Sequence, residues 1–436
     1  MSESSPPASR SRLSRLWPPL VVALVSFIWF WFWRSAEWTG GDSEQWEREI
    51  HIGTWWRSRQ MLSFATMQLV YQVTSHLWHW GPQLAINLVS CLMGAGAMAV
   101  AWVFTSDCRH RALSFALIAT AGFTLLFFGH IETYACPATA FLLMALCAKG
   151  SLRWGWSTWP LVASFSLMAW LHLVALFALP AVGFTLWLVW CERRPTGVEL
   201  RHTLLAASPL LMLWLSVWVY HCGSGELLEG GGFFHSLTRR NYDERYALLS
   251  MAHLRETGFF LWRSAGLAAP LAVWALVVRR RDRLTQALAG LLLCYLYFLV
   301  TWHPDAGQRD WDLFTFPGII CVLIVADALD CLPRSAVWAW PVVAVNLLTV
   351  MPEAYSNARL GERGHALIAL ADLPEGTVAL LDNRLPLSER PILVMEGLHT
   401  LRVIDRIESS HRFAISVRPG ENQTLTVVRG ELERLR

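Results

Sequence analysis

Apolar runs long enough to cross a bilayer recur along this chain. About eleven can be drawn by the rule that roughly 20 apolar residues span the hydrocarbon core. They lie at 16–34, 84–104, 112–128, 134–149, 158–174, 176–191, 203–220, 258–278, 284–301, 313–330 and 335–352. In lipid every backbone N–H and C=O needs an internal partner, so runs of this length are read as helices. The expected fold class is an all-α polytopic membrane bundle. The 25 Trp and 21 Phe suit it, since aromatic rings anchor at both membrane interfaces. A net charge of +3 gives no field for nucleic acid. The nine cysteines show no C-x-x-C spacing, so neither a zinc site nor a disulfide framework is expected.

Orientation follows from Lys and Arg in the short loops. With the N-terminus in the cytoplasm, Arg109, Arg111, Lys149, Arg153, Arg193, Arg194, Arg279 to Arg281, Arg283 and Arg334 all fall on the cytoplasmic side. The short outer loops then carry one arginine, Arg309. The stretch 61–80 is apolar but interrupted by Gln68, Gln72, Ser75 and His76. It reads as a helix in or near the interface; as a span it would invert every later basic loop. Two outer loops are long, 35–83 and 221–257, and the second holds Gly230 to Gly232. The chain divides into a membrane unit, 1–352, and a tail, 353–436. The tail reads as an amphipathic helix, 354–373, followed by short strands at 377–381, 391–395, 401–404 and 425–428. This predicts a small α+β domain outside the membrane.

The outer side gathers the chemistry. Asp42 follows Gly40 and Gly41, which let backbone approach a ligand closely. A carboxylate there can serve as general base toward a hydroxyl, or hold a divalent metal with Glu44. Glu47 and Glu49 read as an ordinary charged run. His130, Glu132 and Tyr134 occupy a junction between two runs, where an acid is either a cavity group or a helix-dipole residue. His172 lies near a run's end. The segment 303–312 holds His303, Asp305, Arg309, Asp310 and Asp312. The Arg309 fork suits phosphate, and Asp310 and Asp312 could orient it, cap the next helix or bind metal. Arg239 and Arg240 offer a second phosphate contact.

This pattern resembles the GT-C superfamily of membrane glycosyltransferases. The resemblance rests on a cytoplasmic N-terminus, an acid in a long first outer loop, interfacial helices in that loop, a long second outer loop and an outer C-terminal domain. It covers most of 16–352. Members often carry paired acids in the first loop, whereas here Ser43 separates Asp42 from Glu44. It implies a polyprenyl-phosphate sugar as donor and a lipid, glycan or protein acceptor, in a bacterial inner membrane. Asp42 and Glu132 are then the catalytic candidates. Glu44, His130, Tyr134, His172, Arg239, Arg240, His303, Asp305, Arg309, Asp310 and Asp312 are the substrate-binding ones. No cofactor is certain, with Mg²⁺ or Mn²⁺ as the metal if the reaction is metal-assisted. The rival readings are a lipid-linked oligosaccharide flippase and a polysaccharide polymerase or ligase. Charges at the outer ends of the runs, and the lack of an inverted repeat, favour the transferase.

Overall fold

The computed structural model describes residues 12–35, 43–57, 59–224, 248, 250–302, 311–331, 335–371, 378–381, 413–416 and 426–429. Its helices are α1 (Arg12–Phe32), α2 (Ser43–His51), α3 (Met61–Trp78), α4 (Pro82–Phe104), α5 (Arg111–Ala119), α6 (Ala135–Arg153) and α7 (Trp159–Leu171). They continue with α8 (Leu179–Glu192), α9 (Gly197–Ser224), α10 (Met251–Ala265), α11 (Ala268–Val278), α12 (Arg283–Thr301), α13 (Phe316–Ala328) and α14 (Ser335–Ala371). Three short strands, β1 (Val378–Leu381), β2 (Phe413–Ser416) and β3 (Thr426–Arg429), pair antiparallel in that order. β1 and β3 fall on runs read as strands, and β2 does not. The runs 391–395 and 401–404 lie outside the described residues. α14 continues unbroken through 352/353, past Pro341 and Pro352.

Among the described residues, five helical segments are long and apolar enough to cross a membrane, or up to six if a bent pair is one span. Shorter apolar helices cover Trp17–Phe32, Trp159–Leu171 and Phe316–Ala328. This is a multi-pass membrane protein. Two expected spans take another form. The run 112–128 is not one helix: α5 ends at Ala119, and a tight 3₁₀ turn, Gly122–Phe127, follows with every residue buried. A Cβ on Gly122 would lie 1.6 Å from the Arg263 carbonyl oxygen, so close backbone packing replaces a straight helix here. The run 258–278 is bent by 84° between α10 and α11. Gly266 makes the bend at φ +55°, a conformation costly for any residue with a Cβ.

Contacts fix how the helices run. Asn87, near the start of α4, donates to the Gly129 carbonyl, and Phe104 at its end accepts from Lys149. α6 and α13 run the same way, with His130 and Asp312 meeting before their N-termini and Lys149 and Asp327 meeting near their C-termini. α6 covers about 27 Å at 1.5 Å per residue, close to the thickness of a hydrocarbon core. One end of the bundle therefore holds the 129–134 turn and the other an ionic cluster. Both ends of α3 lie at the turn's end. Ser63 donates to the Leu171 carbonyl (2.8 Å), and Trp80, just past the helix, stacks on Trp31 (5.8 Å). The core between the two ends is aromatic: Tyr295 stacks on Phe316 at 5.1 Å, and Phe141 meets both edge to face at 5.6 and 5.7 Å.

The ionic cluster ties five segments together. Asp327, buried on α13, meets Lys149 (3.0 Å), both terminal nitrogens of Arg153 (2.7 and 2.8 Å) and Arg279 (2.6 Å). Lys149 also reaches Asp107, and Arg153 reaches Asp282 at 2.9 Å. Asp282 caps α12, accepting from the Thr285 N–H at 2.9 Å. Three cations thus face three carboxylates.

Candidate functional site

The 129–134 turn is the hub at the opposite end. Gly129 has φ +68°, and a Cβ there would sit 2.8 Å from both Arg34 and Asn87 side-chain atoms, so only glycine fits. The turn is held by Asn87 on the Gly129 carbonyl and by the Ser35 N–H on the Phe128 carbonyl (2.7 Å). It projects His130, Glu132 and Tyr134 into three different sets of partners.

His130 is buried, with Nε2 2.8 Å from Asp312 Oδ2. A carboxylate only accepts, so Nε2–H is the donor. Asp312 is itself fixed, its Oδ1 accepting from the Leu313 N–H and its carbonyl from the Thr315 hydroxyl. Trp311 packs between His130 (5.7 Å) and the guanidinium of Arg263, whose Cζ lies 4.5 Å from the indole centroid. Arg263, near the end of α10, pairs with Glu353 of α14. Four ionisable groups from four segments are thus gathered around Trp311.

Glu132 is 3% exposed and accepts from the Trp46 indole N–H. Trp46 belongs to α2, as does Glu49, which pairs with Arg57. Arg57 in turn lies over the Trp46 ring, 5.3 Å from its centroid. Tyr134 faces the His172 ring at 5.1 Å. His172 Nδ1 accepts from the Val174 N–H at 3.0 Å, which places the ring proton on Nε2. The Gln60 amide nitrogen lies 3.3 Å from that nitrogen. His172 is thereby a neutral hydrogen-bond donor.

Of the residues singled out in the sequence, the structure brings His130 to Asp312 and Tyr134 to His172, and places Glu132 two positions from His130. Glu44 lies in α2, but its side chain is outside the described residues. Asp42, Arg239, Arg240, His303, Asp305, Arg309 and Asp310 lie outside them altogether. Sequence reasoning did not single out Trp46, Gln60, Arg57, Arg263 or Glu353. Arg263 did carry a signal, as a charge inside an apolar run. Among the described residues, no group of three or more His, Cys, Asp or Glu side chains could hold a metal ion.

No family model matches the chain, and no curated protein matches it by sequence. The fold is similar to the crystal structure of ArnT from Cupriavidus metallidurans bound to undecaprenyl phosphate. The TM-score is 0.50 at 15% identity, covering 77% of this chain and 64% of that one. The chain therefore spans a little under two thirds of that protein's length. The apo form of ArnT gives a TM-score of 0.49 at 16% identity, covering 81% of this chain and 75% of that one.

Proposed function

We propose that this protein is a membrane glycosyltransferase. It transfers a sugar from a polyprenyl-phosphate-linked donor to a lipid, glycan or protein acceptor at the 129–134 end of the bundle. The observation that carries the reading is the likeness in fold to a protein whose structure holds undecaprenyl phosphate. The GT-C pattern of the sequence supports it. So does the concentration of His, acid and guanidinium groups around the 129–134 turn.

In this reading the acceptor hydroxyl oxygen attacks the anomeric carbon while the bond from that carbon to the phosphate oxygen breaks. Asp42 takes the hydroxyl proton as general base. The phosphate leaves on its lipid, and the anomeric configuration inverts. Arg309, with Arg239 or Arg240, stabilises the departing charge electrostatically. Asp310 orients Arg309 or holds Mg²⁺ or Mn²⁺. Glu44, His303, Asp305, Tyr134 and the neutral donor His172 contact sugar or acceptor. His130 and Asp312 form a fixed wall beside them. The active end faces away from the cytoplasm in a bacterial inner membrane, with the tail, 353–436, on the same side.

The test is transfer of labelled sugar from polyprenyl-phosphate hexose or pentose in membranes carrying wild type, Asp42→Asn or Arg309→Ala. Transfer by wild type that disappears in both inserted variants supports the reading. Full activity in Asp42→Asn removes the base assignment.

A further inference from the structure

α2 is nine residues long, too short to persist as a helix without packing. Its inward face is Trp46, Glu49 and Ile50, all buried, while Arg48 is exposed. Trp46 makes several of its contacts. Its ring meets Phe64 of α3 edge to face at 5.7 Å, Arg57 lies over it, and its N–H is donated to Glu132. A polar tie between α2 and the 129–134 turn is thus an indole on a carboxylate, both less than a tenth exposed.

We propose that Glu132 is a positioning residue that acts through Trp46. Its carboxylate holds α2 against the turn, so that α2 and the hub move as one unit. Asp42 immediately precedes α2 in the sequence and Glu44 lies in its first turn, so the tie sets the place of the helix that begins next to the proposed base. The inference rests on the transferase reading for its effect on catalysis, but not for its effect on α2.

A proton-transfer role for Glu132 predicts something different, and neutral isosteres separate the two. Glu132→Gln keeps an oxygen for the indole N–H and cannot take a proton. Trp46→Phe removes the donor and keeps an aromatic ring, smaller than the indole, against Phe64. The experiment uses the full-length protein in lipid nanodiscs. It reads amide hydrogen exchange across 43–51 without substrate, and kcat, KM and the pH profile of transfer with a polyprenyl-phosphate sugar. Glu132→Ala and Trp46→Phe should each speed exchange across 43–51 by about tenfold, the worth of one buried hydrogen bond. They should lower kcat together, leave the pH profile in place, and show no further loss when combined. Glu132→Gln should restore both protection and transfer. Loss of transfer in Glu132→Gln with normal exchange would overturn the proposal in favour of proton transfer. Unchanged exchange in Trp46→Phe would overturn it outright. Exchange is read without turnover, so failure to detect transfer with any donor refutes the proposed activity and leaves the docking result standing.

Discussion

Replacing Asp327 by Asn tests how the bundle tolerates ions at its C-terminal helix ends. Asp327 is 2% exposed and Lys149 is fully buried, and three cations converge on one carboxylate. Two unit charges about 3 Å apart attract by roughly 5 kcal/mol at an effective dielectric of about 20. Three such attractions are largely offset by the desolvation of the four groups. The net worth of the intact cluster is therefore small, but the cost of breaking it is not. Without the Asp327 charge, Arg153 and Arg279 keep Asp282, and Lys149 keeps Asp107 and the Phe104 carbonyl, with two carboxylates left for three cations. The expected loss is about 3–5 kcal/mol, the range for an uncompensated buried charge. Lys149→Met should lose less, about 1–3 kcal/mol, because Asp327 keeps two guanidinium partners. Arg283→Ala breaks an exposed pair with Glu192 and should stay within about 1 kcal/mol of wild type. Unfolding of the purified proteins in one detergent, followed by tryptophan fluorescence, ranks the three. Asp327→Asn as stable as Arg283→Ala would refute the reasoning.

Other expectations follow from single contacts. Asp282→Asn keeps a good N-cap and removes only the charge. Burial pushes the Asp282 carboxyl up, but the Thr285 N–H, Arg153 and Arg279 outweigh it and hold the carboxyl below its ordinary range. A depressed carboxylate stabilises the fold above its unfolded pKa and loses that contribution as pH falls through the folded one. Wild type should therefore be the more stable at pH 7, and the two should converge in melting scans below about pH 4. Gly122→Ala should fail to pack, since its Cβ meets the Arg263 carbonyl; the expected cost is about 1–3 kcal/mol or more, read as lost yield of folded protein. Gly266→Ala should lower melting temperature by opening the α10–α11 bend, because alanine is strained at φ +55° and meets Asn346 Oδ1 at 2.7 Å.

Helical class was legible because bilayer thickness leaves few ways to read long apolar runs. The breaks were not. At Gly122 and Gly266 the chain departs from a straight helix for reasons held in other segments, the Arg263 carbonyl and Asn346. Residues of the turn stood out because ionisable side chains between apolar runs are rare. Trp46 was hidden for the opposite reason: in a chain of 25 Trp, another indole reads as an anchor. The i, i+3, i+4 spacing of Trp46, Glu49 and Ile50 was the available signal, and the acids around it made the segment look like a solvated run. Lys149, Arg153 and Arg279 were read as topogenic charges. That rule concerns which side a loop occupies and says nothing about the carboxylates of Asp107, Asp282 and Asp327 that neutralise them.

The most direct measurement is the fate of the lipid carrier. Purified protein in vesicles would be supplied with a doubly labelled polyprenyl-phosphate sugar and a membrane extract as acceptor source. The account predicts free polyprenyl phosphate appearing in step with sugar on a new acceptor, both dependent on Asp42. Lipid-linked sugar that crosses between leaflets with its phosphate bond intact would contradict it.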